Sequence, residues 1–144
     1  MVQEEDIEDI LSRSKTIAVI GLSRSPGKDS YRVAQYLQSQ GYRIVPVNPS
    51  AEEILGERSY PSLQDLPDNL KRSVDVVDIF RPSEDVPPIV DQAVEVHRRL
   101  GRPSVIWMQL GIVNEAAAHR ALAAGLKVVM NRCMEIEHRR RSSK

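Results

Sequence analysis

The segment GLSRSPGKDSY, residues 21–31, carries the residue types that hold a phosphate. Gly21 permits a sharp turn directly after an apolar run, Ser23 offers a hydroxyl, and Gly27 lets backbone approach a ligand closely. Lys28 adds a positive charge, and Asp29 or Ser30 is expected to cap a following helix whose first free amides attract anions. This combination fits a phosphate or pyrophosphate. The plainer alternative is a glycine-serine connection that only turns the chain. Two familiar phosphate motifs fail here. A Walker A loop needs a shorter spacing to its Gly-Lys-Ser/Thr group, whereas residues 22–26 separate Gly21 from Gly27 and Asp29 follows Lys28. A dinucleotide fingerprint needs a second glycine where Ser23 stands, and an acid ending the second strand, where VPVNPS has Asn48 and Pro49. ATP hydrolysis and NAD are therefore disfavoured.

Other strand ends supply further candidates. Val47, Asn48 and Pro49 form a stiff apolar rim suited to an adenine face. Phe80, Arg81 and Pro82 place an aromatic ring and a guanidinium after another apolar run, and arginine pairs with phosphate in bidentate fashion. In WMQLGIVN, Trp107 reads as core, while Gln109, Gly111 and Asn114 fall in a loop expected to face the same crevice. Asn131, Arg132 and Cys133 crowd the last such loop. No catalytic constellation stands out. His97 and His119 lie in helical segments, and His138 adjoins a basic tail. Asp75 and Asp78, three apart on a strand, point to opposite faces. Cys133 beside Arg132 reads as a packed residue rather than an activated nucleophile. One cysteine and three scattered histidines give no metal-ligand cluster.

Two sequence periods must position these residues. Apolar runs of strand length occur at 16–20, 42–47, 74–80, 104–108 and 126–130, near-continuous as for strands covered on both faces. Helical spacing fills the intervals: 3–13, about 30–40 ending at Gly41, 84–99 with Pro87 and Pro88 in its first turn, and 115–124 capped by Asn114 and closed by Gly125. Within the irregular stretch 48–73, a short helix is expected from Ile54 and Leu55, a short strand at 58–60 and a helical turn at 62–66. The alternation implies an α/β fold, a three-layer doubly wound, Rossmann-like, mostly parallel sheet forming a single domain over 1–144. An N-terminal helix within 1–14 precedes it, and the basic end 139–144 is expected to be a flexible, solvated tail.

Lysine plus arginine and aspartate plus glutamate number 20 each, so charge favours neither nucleic acid nor a membrane. No apolar run approaches the roughly 18 residues of a membrane span, and the acidic, amphipathic start is unlike a secretory signal. The single Cys133 excludes a disulfide framework, and a cytoplasmic location is expected.

Taken in order, GLSRSPGKDSYRVAQYL, YRIVPVNPSAEEILGERSYPSL, VDVVDIFRPSEDV and VIWMQLGIVNEAAAHRALAAGLKVVMNRCMEIEH resemble the small stand-alone coenzyme A-binding proteins of bacteria. That domain is similar to the N-terminal domain of the succinate–CoA ligase alpha subunit. Asn131 departs from the aspartate expected before the Arg-Cys pair. The resemblance implies that Gly21, Ser23, Lys28 and Ser30 hold the pyrophosphate or 3′-phosphate. By the same resemblance, Val47, Asn48 and Pro49 flank the adenosine, and Phe80, Arg81, Pro82, Gln109 and Gly111 line the path of the pantetheine arm. The ligase relative works through a histidine on a further domain, so binding of coenzyme A or acyl-CoA without catalysis is expected. The alternatives are an NAD(P)-type nucleotide-binding protein, an enzyme acting on acyl-CoA, and a scaffold used only for protein contact. A protein partner or homodimer is left open.

Overall fold

The computed structural model describes residues 2–142. In chain order the elements are α1 (Glu4–Arg13), β1 (Thr16–Ile20), α2 (Asp29–Ser39), β2 (Arg43–Val47), β3 (Glu53–Ile54), β4 (Glu57–Arg58), α3 (Asp68–Lys71), β5 (Val76–Ile79), α4 (Val86–Leu100), β6 (Val105–Met108), α5 (Glu115–Ala123), β7 (Lys127–Val129) and α6 (Met134–Ser142). The five expected apolar runs form one parallel sheet in the order β2-β1-β5-β6-β7. Every residue of β1, β5 and β6 is buried, which explains why these runs lack alternation. Alternate residues feed two apolar layers. Ala18, Ile20, Val47, Ile79 and Met108 pack with α4, α5 and the segment 63–70. Ile17, Val19, Ile44, Val76 and Trp107 pack with α1, α2 and α6. The result is the three-layer α/β sandwich expected from the sequence.

Chain direction reverses its order across the sheet between β1 and β5. In such sheets the crossovers leave a crevice at the carboxyl ends of the strands at this point. Ile20 and Ile79 end there side by side, so the loops beginning at Gly21 and Phe80 bound the crevice.

Three expectations are corrected. Ile54 and Leu55 do not start a helix. Leu55 and Gly56 have φ of +55° and +76°, which folds β3 back on β4 as a small hairpin. The strand expected at 58–60 is split accordingly: Arg58 belongs to β4, and Tyr60 bridges to Val47 in parallel. The basic end is not a loose tail over 139–142, because these residues complete α6. Buried Glu137 takes guanidinium contacts from Arg132 (3.3 Å), Arg140 (3.4 Å) and Arg141 (2.9 Å), and Glu4 of α1 pairs with Arg132 and Arg141. Pairing with acids fixes the basic run. Residues 143–144 lie outside the described residues.

The α6 helix also carries His138, whose Nδ1 lies 2.7 Å from the Tyr36 hydroxyl and whose ring stands edge-on to Tyr36 and Tyr42. Burial, with the neighbouring Arg139 charge, holds its pKa below the ordinary 6.5. As pH falls, the unfolded chain takes up this proton first. Stability is therefore expected to be retained above pH 6.5 and to decline below it, until the native ring is protonated too. Thermal midpoints between about pH 7.5 and 5 should fall less for His138→Gln than for the natural chain. Equal declines would assign the effect elsewhere.

Candidate functional site

Gly21 begins the crevice. Its φ is +83°, and its amide donates to the Val47 carbonyl at 2.9 Å, drawing the β1 loop against the end of β2. A Cβ at this position would stand 2.5 Å from the Phe80 carbonyl oxygen, so only glycine fits between β2 and β5. The loop then closes on itself. The Ser23 amide donates to Ser30 Oγ (2.9 Å), and the Ser25 amide to Ser23 Oγ (3.0 Å). Ser30 is buried by this bond and props the loop. Asn48 locks the loop to β2 from the other side: its Nδ2 donates to the Leu22 carbonyl (2.9 Å) while its Oδ1 accepts from the Ser50 amide (2.7 Å).

The expected cap at Asp29 or Ser30 is corrected. Lys28 occupies the N-cap of α2 and no side chain bonds the first amides, because Ser30 turns back to Ser23 and Asp29 pairs with Arg32 at 3.0 Å. The helix start is left open, with the exposed Lys28 ammonium beside it. An uncapped first turn with an adjacent cation is a good setting for an anion.

Next to this loop lies a cleft of about 480 Å³. Gly21, Ser23, Val47, Asn48, Pro49 and Arg81, all named from the sequence, line it. Ile20, Ser50, Pro61, Ser62, Leu63, Ile89 and Gln92 complete it. Sequence reasoning missed this second group because residues 61–63 and the flank of α4 reach the cleft only through tertiary packing. Arg81 is half exposed and holds Asp85 at 2.9 Å, so its guanidinium is steadied yet open to solvent. A shallower trough with Glu52, Glu53 and Arg58 adjoins the cleft across Pro49, Ser50 and Pro61.

The remaining expected contacts, Lys28 and Ser30 included, do not line this cleft. Phe80 packs toward the α2 side, and Pro82 leads into the turn before α4. Gln109 is only 3 % exposed, and its Oε1 accepts from the Met134 amide (3.1 Å), which caps α6. The Gly111 amide donates to Asn131 Oδ1 at 2.7 Å. Asn131 itself adopts φ +61°, a conformation that asparagine tolerates. Asn114 caps α5 by accepting from the Ala117 amide (3.0 Å), and its Nδ2 donates to the Ser83 carbonyl. Cys133 is half-buried against the α2 side, with the neighbouring Arg132 committed to Glu4 and Glu137. Among the described residues no His, Cys, Asp or Glu group is arranged to hold a metal, and no helix is long and apolar enough to cross a membrane.

Residues 15–139 match the family model described as "CoA binding domain". The chain belongs to this family. The CoA binding domain match begins at the residue before β1 and runs into α6, so it includes every loop described above. Among related sequences, the uncharacterized protein YneT of Bacillus subtilis (strain 168) is 37% identical over 133 residues, covering 92% of each chain. Acetate–CoA ligase [ADP-forming] II of Archaeoglobus fulgidus is 36% identical over 92 residues, which are 62% of this chain but 13% of that ligase. A solved hypothetical protein from Pyrococcus horikoshii OT3 superposes with a TM-score of 0.86 at 41% identity, covering 96% of this chain and 92% of that one. Sequences similar to this chain thus occur at nearly its own length and also as a small part of a ligase.

Proposed function

We propose that this protein binds coenzyme A, or an acyl-CoA, at the crevice between β1 and β5 and has no catalytic machinery of its own. The observation that carries this reading is a cleft lined by Gly21 and Ser23, the start of the loop that leads to an uncapped, lysine-flanked helix, in a chain of the CoA binding domain family. The adenosine fits the cleft beside Val47 and Pro49. The loop 21–28 and Lys28 serve the phosphates, and Arg81 supplies a second cation. The pantetheine arm leaves toward the β5 and β6 ends. Phe80, Pro82, Gln109 and Gly111 then shape that end of the fold through packing and backbone bonds, with Ser30 doing the same for the glycine loop. Absence of chemistry is supported by the committed state of Arg132 beside Cys133 and by His97, whose Nδ1 lies 2.8 Å from the Pro103 carbonyl. A cytoplasmic location accords with a metabolite of this kind.

Mass spectrometry of small molecules released by denaturing the purified protein should identify coenzyme A or a thioester of it. Calorimetry should then rank coenzyme A above NAD. Preference for NAD would replace the reading with the dinucleotide alternative. Lys28 has no ion-pair partner among the described residues, so Lys28→Ala should leave the melting temperature unchanged. A lost charge-assisted contact would nevertheless weaken coenzyme A binding by about tenfold or more. Dephospho-coenzyme A separates the two phosphate positions. If the natural chain binds it as tightly as coenzyme A, Lys28 serves the pyrophosphate and not the 3′-phosphate.

A further inference from the structure

The polar side chains around the cleft are almost all committed to the protein itself. Ser23 Oγ accepts from Ser25, Asn48 uses both ends of its amide, Ser62 donates to Asp65 (2.7 Å), and Arg81 holds Asp85. Apart from the exposed Ser50 hydroxyl, the exception is Gln92, whose side-chain amide has no hydrogen-bond partner among the described residues. Its position is equally unusual. Gln92 follows Ile89 by three residues and precedes Val96 by four, so it lies in a row of α4 whose neighbours pack into the core. An apolar residue there would extend the core. Instead the helix presents an idle amide, with one donor side and one acceptor side in a single plane.

The space it faces defines the occupant. Val47, Pro49, Leu63 and Ile89 supply apolar walls, which suit a flat heteroaromatic ring. Adenine carries its amino donor next to a ring-nitrogen acceptor on either exposed edge, and a glutamine amide matches that pair in bidentate fashion. We infer that Gln92 is the residue that selects adenine, by hydrogen bonding the edge of the base while the apolar walls cover its faces. The inference rests on the coenzyme A reading and adds a base-reading residue to it.

The test is a binding cycle with two ligands, coenzyme A and its 1,N6-etheno derivative, whose base has lost the amino hydrogens. Calorimetry on the full chain should show the natural protein preferring coenzyme A by about tenfold or more. Gln92→Leu should lose that preference by weakening coenzyme A alone, with the etheno ligand bound as before. Gln92→Ala provides the same cycle should the leucine variant melt early. A preference that survives both substitutions overturns the role of Gln92 and leaves the coenzyme A reading standing. Failure of the natural chain to bind either ligand overturns the reading itself.

Discussion

Gly21→Ala should lower the unfolding free energy by about 2–5 kcal/mol and abolish measurable coenzyme A binding. Two costs combine. A non-glycine residue in the left-handed region loses about 1–2 kcal/mol, and forcing atoms into a packed site costs about 1–3 kcal/mol more. The obstacle at Gly21 is the Phe80 carbonyl oxygen, 2.5 Å from the added Cβ, and this backbone, directly after β5 and bonded to Ile20 of β1, moves only if the strand ends move. Any relief would separate the β1 and β5 loops, opening the crevice in which the cofactor is proposed to lie. Gly27→Ala is the companion measurement. Its Cβ would meet nothing within 4 Å, so urea unfolding should place it within about 0.5 kcal/mol of the natural chain. Any loss of binding by Gly27→Ala would then report close approach of a ligand. Should Gly21→Ala fold and bind normally, the crevice is not built as described.

The opposite sign is expected for Asp78→Val, which should stabilise the protein by about 1–3 kcal/mol at neutral pH. Asp78 lies in β5 in register with Val19 of β1 and Trp107 of β6, on the sheet face covered by α1, α2 and α6. It is 0 % exposed, and neither carboxylate oxygen has a hydrogen-bond partner among the described residues. Burial without a partner raises its pKa well above the ordinary 3.8. The sign follows from linkage. The unfolded carboxyl releases its proton first as pH rises, so stability is greatest below about 3.8 and is lost as pH climbs toward the native pKa. Valine removes both the cost and that pH dependence. Denaturant titrations at acidic and neutral pH on both proteins measure this directly. A destabilised Asp78→Val would show that the carboxylate does find a partner. Coenzyme A affinity should be unchanged, because the proposed cleft opens on the other side of the sheet, beside Ile20, Val47 and Ile89.

Much of this arrangement is local and so could be read without coordinates. Buried parallel strands need continuous apolar runs, amphipathic crossovers need a helical stripe, and a turn leaving a strand needs a residue such as Gly21. Each demand acts over a few neighbouring positions. The strand runs, the Asn114 cap and the glycine loop were legible for that reason. Direction and partnership were not. Gln109 follows a strand as Arg81 does, yet it turns inward to Met134, because which face a side chain takes depends on what the next helix requires. The basic residues after His138 look solvated until α6 pairs them with Glu135 and Glu137 and folding brings Glu4, more than a hundred positions away, against Arg141. Ile54 and Leu55 read as a helix start, but Leu55 and Gly56 both take positive φ and form a hairpin turn. Leu63 and Gln92 joined the cleft only when α4 packed over the sheet. Local sequence thus determines the scaffold and the glycine loop before an uncapped helix, while the cleft's walls and the fate of each buried charge are set by contacts between segments distant in sequence.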